Sequence, residues 1–164
     1  MTEEKNTLKP EKEYSAADIE ILEGLAGVRK RPAMYIGSTN STGLHHLVWE
    51  IVDNAVDEAL TGYGNIITIN IHKTGSVSVL DEGRGIPVDM HKTTKMPAVQ
   101  LIFSTLHSGG KFSSKVYQSS AGLHGVGSSV TNALSVYCDV TVFRGGKINN
   151  IRFENGGKLA VPLE

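Results

Sequence analysis

Apolar and polar positions along this chain change period several times, and each change predicts an element. Residues 1–14 are mostly polar and rich in lysine and glutamate, which predicts a flexible N-terminal arm. Ser15 followed by Asp18 has the form of a capping box. Ile19, Leu22, Leu25 and Val28 then recur at helical spacing and predict a helix over about 16–29, stopped by Pro32. Residues 33–43, with Gly37, Asn40 and Gly43, read as a loop. A second helix is expected from about 44 to 61, ending near Gly62 and Gly64. Ile67, Ile69 and Ile71 alternate with Thr68 and Asn70, which predicts a strand over 66–72; Gly75 turns the chain into a second strand over 76–81. A glycine-broken turn over 82–88 and a short helix over about 97–106, with Pro97 in its first turn, come next. Residues 107–127 are rich in Gly and Ser and read as irregular. A helix over about 127–135 and strands near 138–143 and 148–154 complete the pattern, with no internal repeat. Helices first, then hairpins with helices between them, imply an α/β sandwich with a largely antiparallel sheet.

The second helix carries an unusual polar stripe. His46, Glu50, Asp53, Asn54 and Asp57 fall within one sector of the helical wheel. Leu47, Val48, Ile51, Val52, Ala55, Val56, Ala59 and Leu60 occupy most of the remaining circumference, so the helix is expected to pack deeply. There is no Lys or Arg from Pro32 to His72. Neighbouring carboxylates repel, so a partly buried acidic stripe needs a partner, which a divalent cation or an activated water would supply. A carboxylate on such a helix suits a general base, with His46 one turn before Glu50 to orient it. Read alone, a solvated helix face accounts for the stripe equally well.

Three glycine clusters follow. Asp81, Gly83 and Gly85, then Ile86 and Pro87, lie at a strand end. An aspartate there can accept a hydrogen bond from an exocyclic amine, and the glycines let backbone approach a flat ring. Gly109 and Gly110 precede Lys111, which can reach a phosphate. Gly122, Leu123, His124, Gly125, Val126 and Gly127 run into a predicted helix, whose first N–H groups and dipole make an anion site. This is neither a Walker A loop, since no Gly-Lys-Ser/Thr follows, nor a good dinucleotide fingerprint. Each cluster alone is also an ordinary turn. Taken with the stripe of the second helix, and in this order, the signals supply a base and metal ligand, an adenine contact and a phosphate cradle.

Composition narrows the class. Sixteen basic and 17 acidic residues give a net charge of −1, which argues against a domain built mainly to grip phosphate backbones. Cys138 is the only cysteine, so no intrachain disulfide can form and a reducing cytoplasmic setting is expected. No secretory signal and no apolar run of membrane-spanning length are visible, so no membrane partner is expected.

The motifs Val28-Arg29-Lys30-Arg31-Pro32, Met34-Tyr35-Ile36-Gly37, His45-His46-Leu47-Val48-Trp49-Glu50, Val52-Asp53-Asn54-Ala55 and Leu123-His124-Gly125-Val126-Gly127 resemble the GHKL ATPases. Within them the chain is similar to the B subunits of bacterial type II DNA topoisomerases. The likeness runs from Tyr14 onward. Residues 111–118 resemble the topoisomerase IV branch more than the gyrase branch. The resemblance implies a GHKL-type two-layer α+β sandwich, its mixed, largely antiparallel sheet covered by helices on one face. It places the ATP-binding domain over 15–164 and continues it past Glu164 with further strands, one bringing a threonine near the adenine aspartate. By the same resemblance, Glu50 is the general base assisted by His46, and Asn54 is the Mg²⁺ ligand. Asp81 meets the adenine amine, Gly85 supports the ring, and Ile86 and Pro87 line its pocket. Lys111, Tyr117 and Gly122 to Gly127 form a lid over phosphates and ribose. Arg84 and Arg144 stand at the pocket mouth, where ATP-competitive inhibitors bind in the family, and Tyr14 and Ile19 belong to an arm that reaches the nucleotide site of a partner protomer. Ala33 and Ala121 depart from the pattern, where glycine is common; the methyl of Ala121 bears on the lid's path, since it resists positive φ.

The function so implied is ATP hydrolysis, with ATP and Mg²⁺, driving DNA strand passage, decatenation and relaxation. The partners implied are a second copy of the same subunit joined in an ATP-dependent homodimer, a DNA-cleaving A-type subunit, and DNA through the holoenzyme. The family enzyme also uses a following transducer domain whose lysine contacts the terminal phosphate, so this chain alone is expected to bind ATP and hydrolyse it weakly. The alternatives are a gyrase B domain, a histidine-kinase catalytic domain and a non-catalytic nucleotide-sensing dimerisation module; MutL-type and chaperone ATPases fit the motifs less well.

Overall fold

A computed structural model describes residues 15–20, 22–108 and 125–164. The capping box forms as expected: the Ser15 N–H and hydroxyl both donate to the Asp18 carboxylate at 2.9 Å. It closes only a 3₁₀ turn, Ala16–Asp18, rather than a helix continuing to 29. Ile19 is already extended and Gly24 is left-handed (φ 57°), so the helical period of 19–28 is broken before α1 (Ala26–Lys30) begins. Arg31 leaves the helical region, as a residue before proline must. Pro32 then opens a new turn, α2 (Ala33–Ile36), within the stretch expected to be loop.

The long helix α3 (Ser41–Leu60) starts three residues earlier than its periodicity suggests. Asn40 caps it, its side chain accepting the Thr42 N–H at 2.9 Å. Gly43, which reads as a loop residue, lies inside the helix for a steric reason. A Cβ there would overlap the Ser38 carbonyl oxygen and stand 3.1 Å from the Ile36 methyl.

Strands β1 (Ile67–Ile71) and β2 (Val77–Asp81) form an antiparallel hairpin, with Ile67 opposite Asp81. After α4 (Ala98–Ser104) and α5 (Gly127–Leu134) come β3 (Tyr137–Arg144), β4 (Lys147–Glu154) and β5 (Lys158–Val161), a separate antiparallel sheet in that order. The β3–β4 turn is Gly145-Gly146, both left-handed (φ 62° and 72°), the backbone a two-residue hairpin requires. The four-residue β5 has too short an alternation to be predicted. The described pairings are thus all antiparallel and fall in two sheets, with helices on one face of the larger.

Two cores result. Val28, Ile36, Leu47, Val130 and Ala133 join α1, α2, α3 and α5. Val99 and Phe103 of α4 pack on Val142, Ile151 and Phe153 of the sheet, with the rings of Phe103 and Phe153 stacked at 6.1 Å. Side-chain hydrogen bonds to backbone carbonyls tie the helices together, that of Asn132 being buried. Arg29 donates to the Ala133 carbonyl at 2.9 Å, Thr131 to the Leu47 carbonyl at 3.2 Å, and Asn132 to the Phe103 carbonyl at 2.9 Å. Cys138 lies in the second core, and burial, with Asp139 beside it, pushes its thiol up to about 12. No helix among the described residues is long and apolar enough to cross a membrane.

Of the α3 apolar positions expected to pack, Leu60 alone is exposed, while Val48, Ile51, Val52, Val56 and Ala59 are half-buried. Leu44, Trp49 and Leu60 are each more than half exposed, whereas Gly43, Leu47, Ala55 and Asp57 are buried. The helix packs through the side bearing Leu47, Glu50 and Asn54. The polar stripe is therefore an inward face.

Candidate functional site

Two elements far apart in sequence meet at Glu50. The first residue of α5, Gly127, is buried against it. A Cβ at Gly127 would overlap the Glu50 carboxylate oxygen and stand 2.8 Å from its Cβ and 2.9 Å from its Cδ. Only glycine allows α5 to begin there. One turn further along α3, Asn54 Nδ2 donates to Ser128 Oγ at 3.2 Å. The start of α5 thus sits on a carboxylate and an amide spaced four residues apart on α3. Among the described residues no side chain caps α5, and the first N–H groups of a helix are donors of the kind that bind anions. His46, one turn before Glu50, does not hydrogen-bond to it among the described residues; its ring meets Trp49 edge-on at 4.8 Å.

A carboxylate on α3 outside the stripe has an arginine partner. At the far end of α3, Glu58 receives three N–H groups of Arg84: Nε at 3.0 Å, Nη2 at 2.8 Å and the backbone N–H at 3.1 Å. A guanidinium from beyond β2 supplies the positive charge that residues 32–72 lack. Among the described residues no group of three or more His, Cys, Asp and Glu is placed to hold a metal.

The turn after β2 is built from its glycines. Asp81 Oδ1 accepts the Gly83 N–H at 2.8 Å, leaving its second oxygen for another donor. Gly83 lies on Glu58, whose Cβ and Cγ would be 2.9 Å from an added Cβ. Gly85 is left-handed (φ 72°), and a Cβ there would stand 2.9 Å from the Phe143 carbonyl oxygen. Arg144 closes the same contact, donating to the carbonyls of Arg84 at 3.1 Å and Gly85 at 2.6 Å. Ile86 packs against the second core and Pro87 follows it, exposed. This turn thus packs on the last two residues of β3.

Glu50, Asn54 and Gly127 are therefore brought together, as are Asp81, Arg84, Gly85 and Arg144. Gly125 and Val126 lead into α5, Val126 being packed against the first core. Ile19 is exposed on extended backbone and joins neither group among the described residues. Tyr14, Lys111, Tyr117, Ala121, Gly122, Leu123 and His124 lie outside the described residues. Glu58, Tyr63 and Ser128 escape a reading by motif. The signal for Glu58 is its place one turn after Asn54 on the same helix side.

Residues 39–157 match the family described as histidine kinase-, DNA gyrase B-, and HSP90-like ATPase. The chain is 60% identical over 152 residues to the B subunit of DNA topoisomerase 4 from Mycoplasma capricolum, covering 93% of this chain and 24% of that protein. It is 57% identical over 149 residues to the B subunit of DNA gyrase from Haloferax volcanii, covering 91% and 23%. It thus spans about a quarter of the length of these relatives. Among solved structures it is similar to the 43K ATPase domain of Thermus thermophilus gyrase B in complex with an aminocoumarin, at 48% identity and a TM-score of 0.73, covering 85% of this chain and 34% of that one. The matched span includes both halves of the site, from the Asn40 cap through α5 to the β4–β5 turn, and on these grounds the chain belongs to the histidine kinase-, DNA gyrase B- and HSP90-like ATPase family.

Proposed function

We propose that the chain is the ATP-binding and ATP-hydrolysing domain of a topoisomerase IV B subunit, with Glu50 as the general base. The observation that carries this reading is the seat of Gly127 on the Glu50 carboxylate. It sets a proton acceptor directly beside the first N–H groups of α5. Phosphate oxygens held at the start of α5 would present the terminal phosphorus to a water that Glu50 deprotonates. The water oxygen bonds to that phosphorus, the bond to the bridging oxygen breaks, and ADP and inorganic phosphate leave. Positioning and electrostatics supply most of such a rate enhancement.

Asp81 is the adenine acceptor in this reading, with Gly85, Ile86 and Pro87 shaping the pocket. Asn54 fits a Mg²⁺ ion: Ser128 takes its amide nitrogen, and an amide oxygen is a ligand type Mg²⁺ accepts when phosphates and water complete its shell. When bound, the ion would neutralise charge on the transferring phosphate. His46 acts on Glu50 indirectly, through helix packing with Trp49. Lys111, Tyr117 and residues 122–127 serve as the lid, and Tyr14 and Ile19 as the arm onto a second copy of the chain. The whole protein would couple hydrolysis to strand passage with a DNA-cleaving A-type subunit. Gyrase is the second reading, favoured by the 57% identity to a gyrase relative beside 60% to a topoisomerase IV relative.

The test is Glu50→Ala in the full-length protein. Hydrolysis should vanish while calorimetric binding of a non-hydrolysable ATP analogue with Mg²⁺ persists; unchanged turnover removes Glu50 as the base. Decatenation by the holoenzyme without ATP-driven supercoiling separates topoisomerase IV from gyrase.

A further inference from the structure

We propose that Tyr63 is a positioning residue for the nucleotide: with Glu58 it holds the Arg84 guanidinium in one orientation at the mouth of the site. The inference rests on the adenine-site reading of the Asp81–Pro87 turn.

Tyr63 is placed by the last turn of α3 and not by chance on a loop. The Thr61 hydroxyl, the Thr61 N–H and the Tyr63 N–H all donate to the Glu58 carbonyl, at 2.7, 3.2 and 3.1 Å. Gly62 and Gly64, with φ of 88° and 76°, flank Tyr63 and let the backbone double back. Gly64 is itself seated on the β2 turn. A Cβ there would stand 2.6 Å from the Glu82 carbonyl carbon and oxygen and 3.0 Å from the Gly83 nitrogen. The end of α3 and the turn that carries Asp81 are thus one packed unit.

Arg84 lies across that unit. Its Cζ stands 4.4 Å from the Tyr63 ring centroid, a cation–π contact. Glu58 takes one edge of the same guanidinium through two N–H groups. A planar cation held by a ring on one face and a carboxylate along one edge has few orientations left. Arg144 holds the Arg84 backbone carbonyl from the β3 side. About a third of the Arg84 side chain remains exposed (35%), three residues after the adenine aspartate. A group fixed before binding spares the ligand the entropy of ordering it. Tyr63 therefore lowers the cost of nucleotide binding without touching the reacting atoms.

The experiment uses the full-length protein and measures both calorimetric binding of a non-hydrolysable ATP analogue and steady-state hydrolysis. Tyr63→Ala should raise Kd and KM about two- to fivefold, the size of a partly exposed cation–π contact, with kcat within about twofold of the parent. Tyr63→Phe, which keeps the ring, should restore both. Unchanged Kd in Tyr63→Ala, equal loss in Tyr63→Phe, or a fall in kcat with KM unchanged would each overturn the proposal. Asp81→Ala keeps the two readings apart. If that variant binds normally, the adenine-site reading fails; if it loses binding while Tyr63→Ala stays silent, only the role of Tyr63 fails.

Discussion

The middle and the C-terminal end of α3 are joined to the rest of the molecule by different physics. Near its middle, Glu50 is held by shape: Gly127 comes so close that no other residue fits between the helices. At its end, Glu58 is held by charge, through three N–H groups of Arg84 at 2.8–3.1 Å in a setting still open to water. A steric contact of the first kind is intolerant and insensitive to salt. A charge contact of the second kind is adjustable and weakens as ionic strength rises. The chain thus keeps the carboxylate assigned to proton transfer in the rigid setting, and the arginine at the pocket mouth in the softer one.

That contrast can be broken most sharply at the rigid end. Glu50→Gln preserves the shape beside Gly127 and removes the proton acceptor. Turnover should fall by about 10²-fold or more with analogue binding kept, as single-turnover kinetics and calorimetry would show. Gly127→Ala leaves the base chemically intact but drives a methyl into it. We expect a loss of about 1–3 kcal/mol of stability in denaturant unfolding, together with a large drop in kcat as Glu50 is displaced. If Gly127→Ala hydrolyses ATP normally, the steric account of this end is wrong. At the softer end, Glu58→Gln should weaken analogue binding modestly, and the difference from the parent should shrink in high salt. An equal difference at low and high salt would show that Glu58 acts by packing instead. Ser128→Ala tests the Asn54 contact and should cost about 1 kcal/mol or less. The smallest effect concerns Cys138. Its thiol, pushed up to about 12, stays protonated near neutral pH, so alkylation of the native protein should be slow and should accelerate only on unfolding. Fast native alkylation would place Cys138 outside the core.

The boundaries of α3, β1, β2, α5, β3 and β4 were legible to within about three residues from period alone, since each has a clear repeat. Three features were not. The helix expected over 16–29 breaks because Ile19 is extended and Gly24 takes a left-handed backbone, which apolar spacing does not register. Gly43 reads as loop punctuation, yet it lies inside a helix, where a Cβ would overlap the Ser38 carbonyl oxygen. The strand β5 is too short for its alternation to be distinguished from coil. In the site, Asp81, Gly83, Gly85 and the Gly125–Gly127 run announce themselves by composition. Glu58 and Tyr63 do not, because a glutamate on a helix and a tyrosine after one are ordinary until Arg84 arrives from another part of the chain.

Sequence alone determined the order of elements, the acidic stripe on one helix and the clustering of glycines, because these depend on residue type and near-neighbour spacing. It also carried enough motif wording to indicate an ATPase family. Only the tertiary structure decided which side of α3 faces inward, that Gly127 rests on Glu50, and that Arg84 pairs with Glu58. These are meetings between residues 26 to 77 positions apart. Helical period fixes which side chains share a face but not what that face will touch, and contact between distant segments is settled only when the whole core packs.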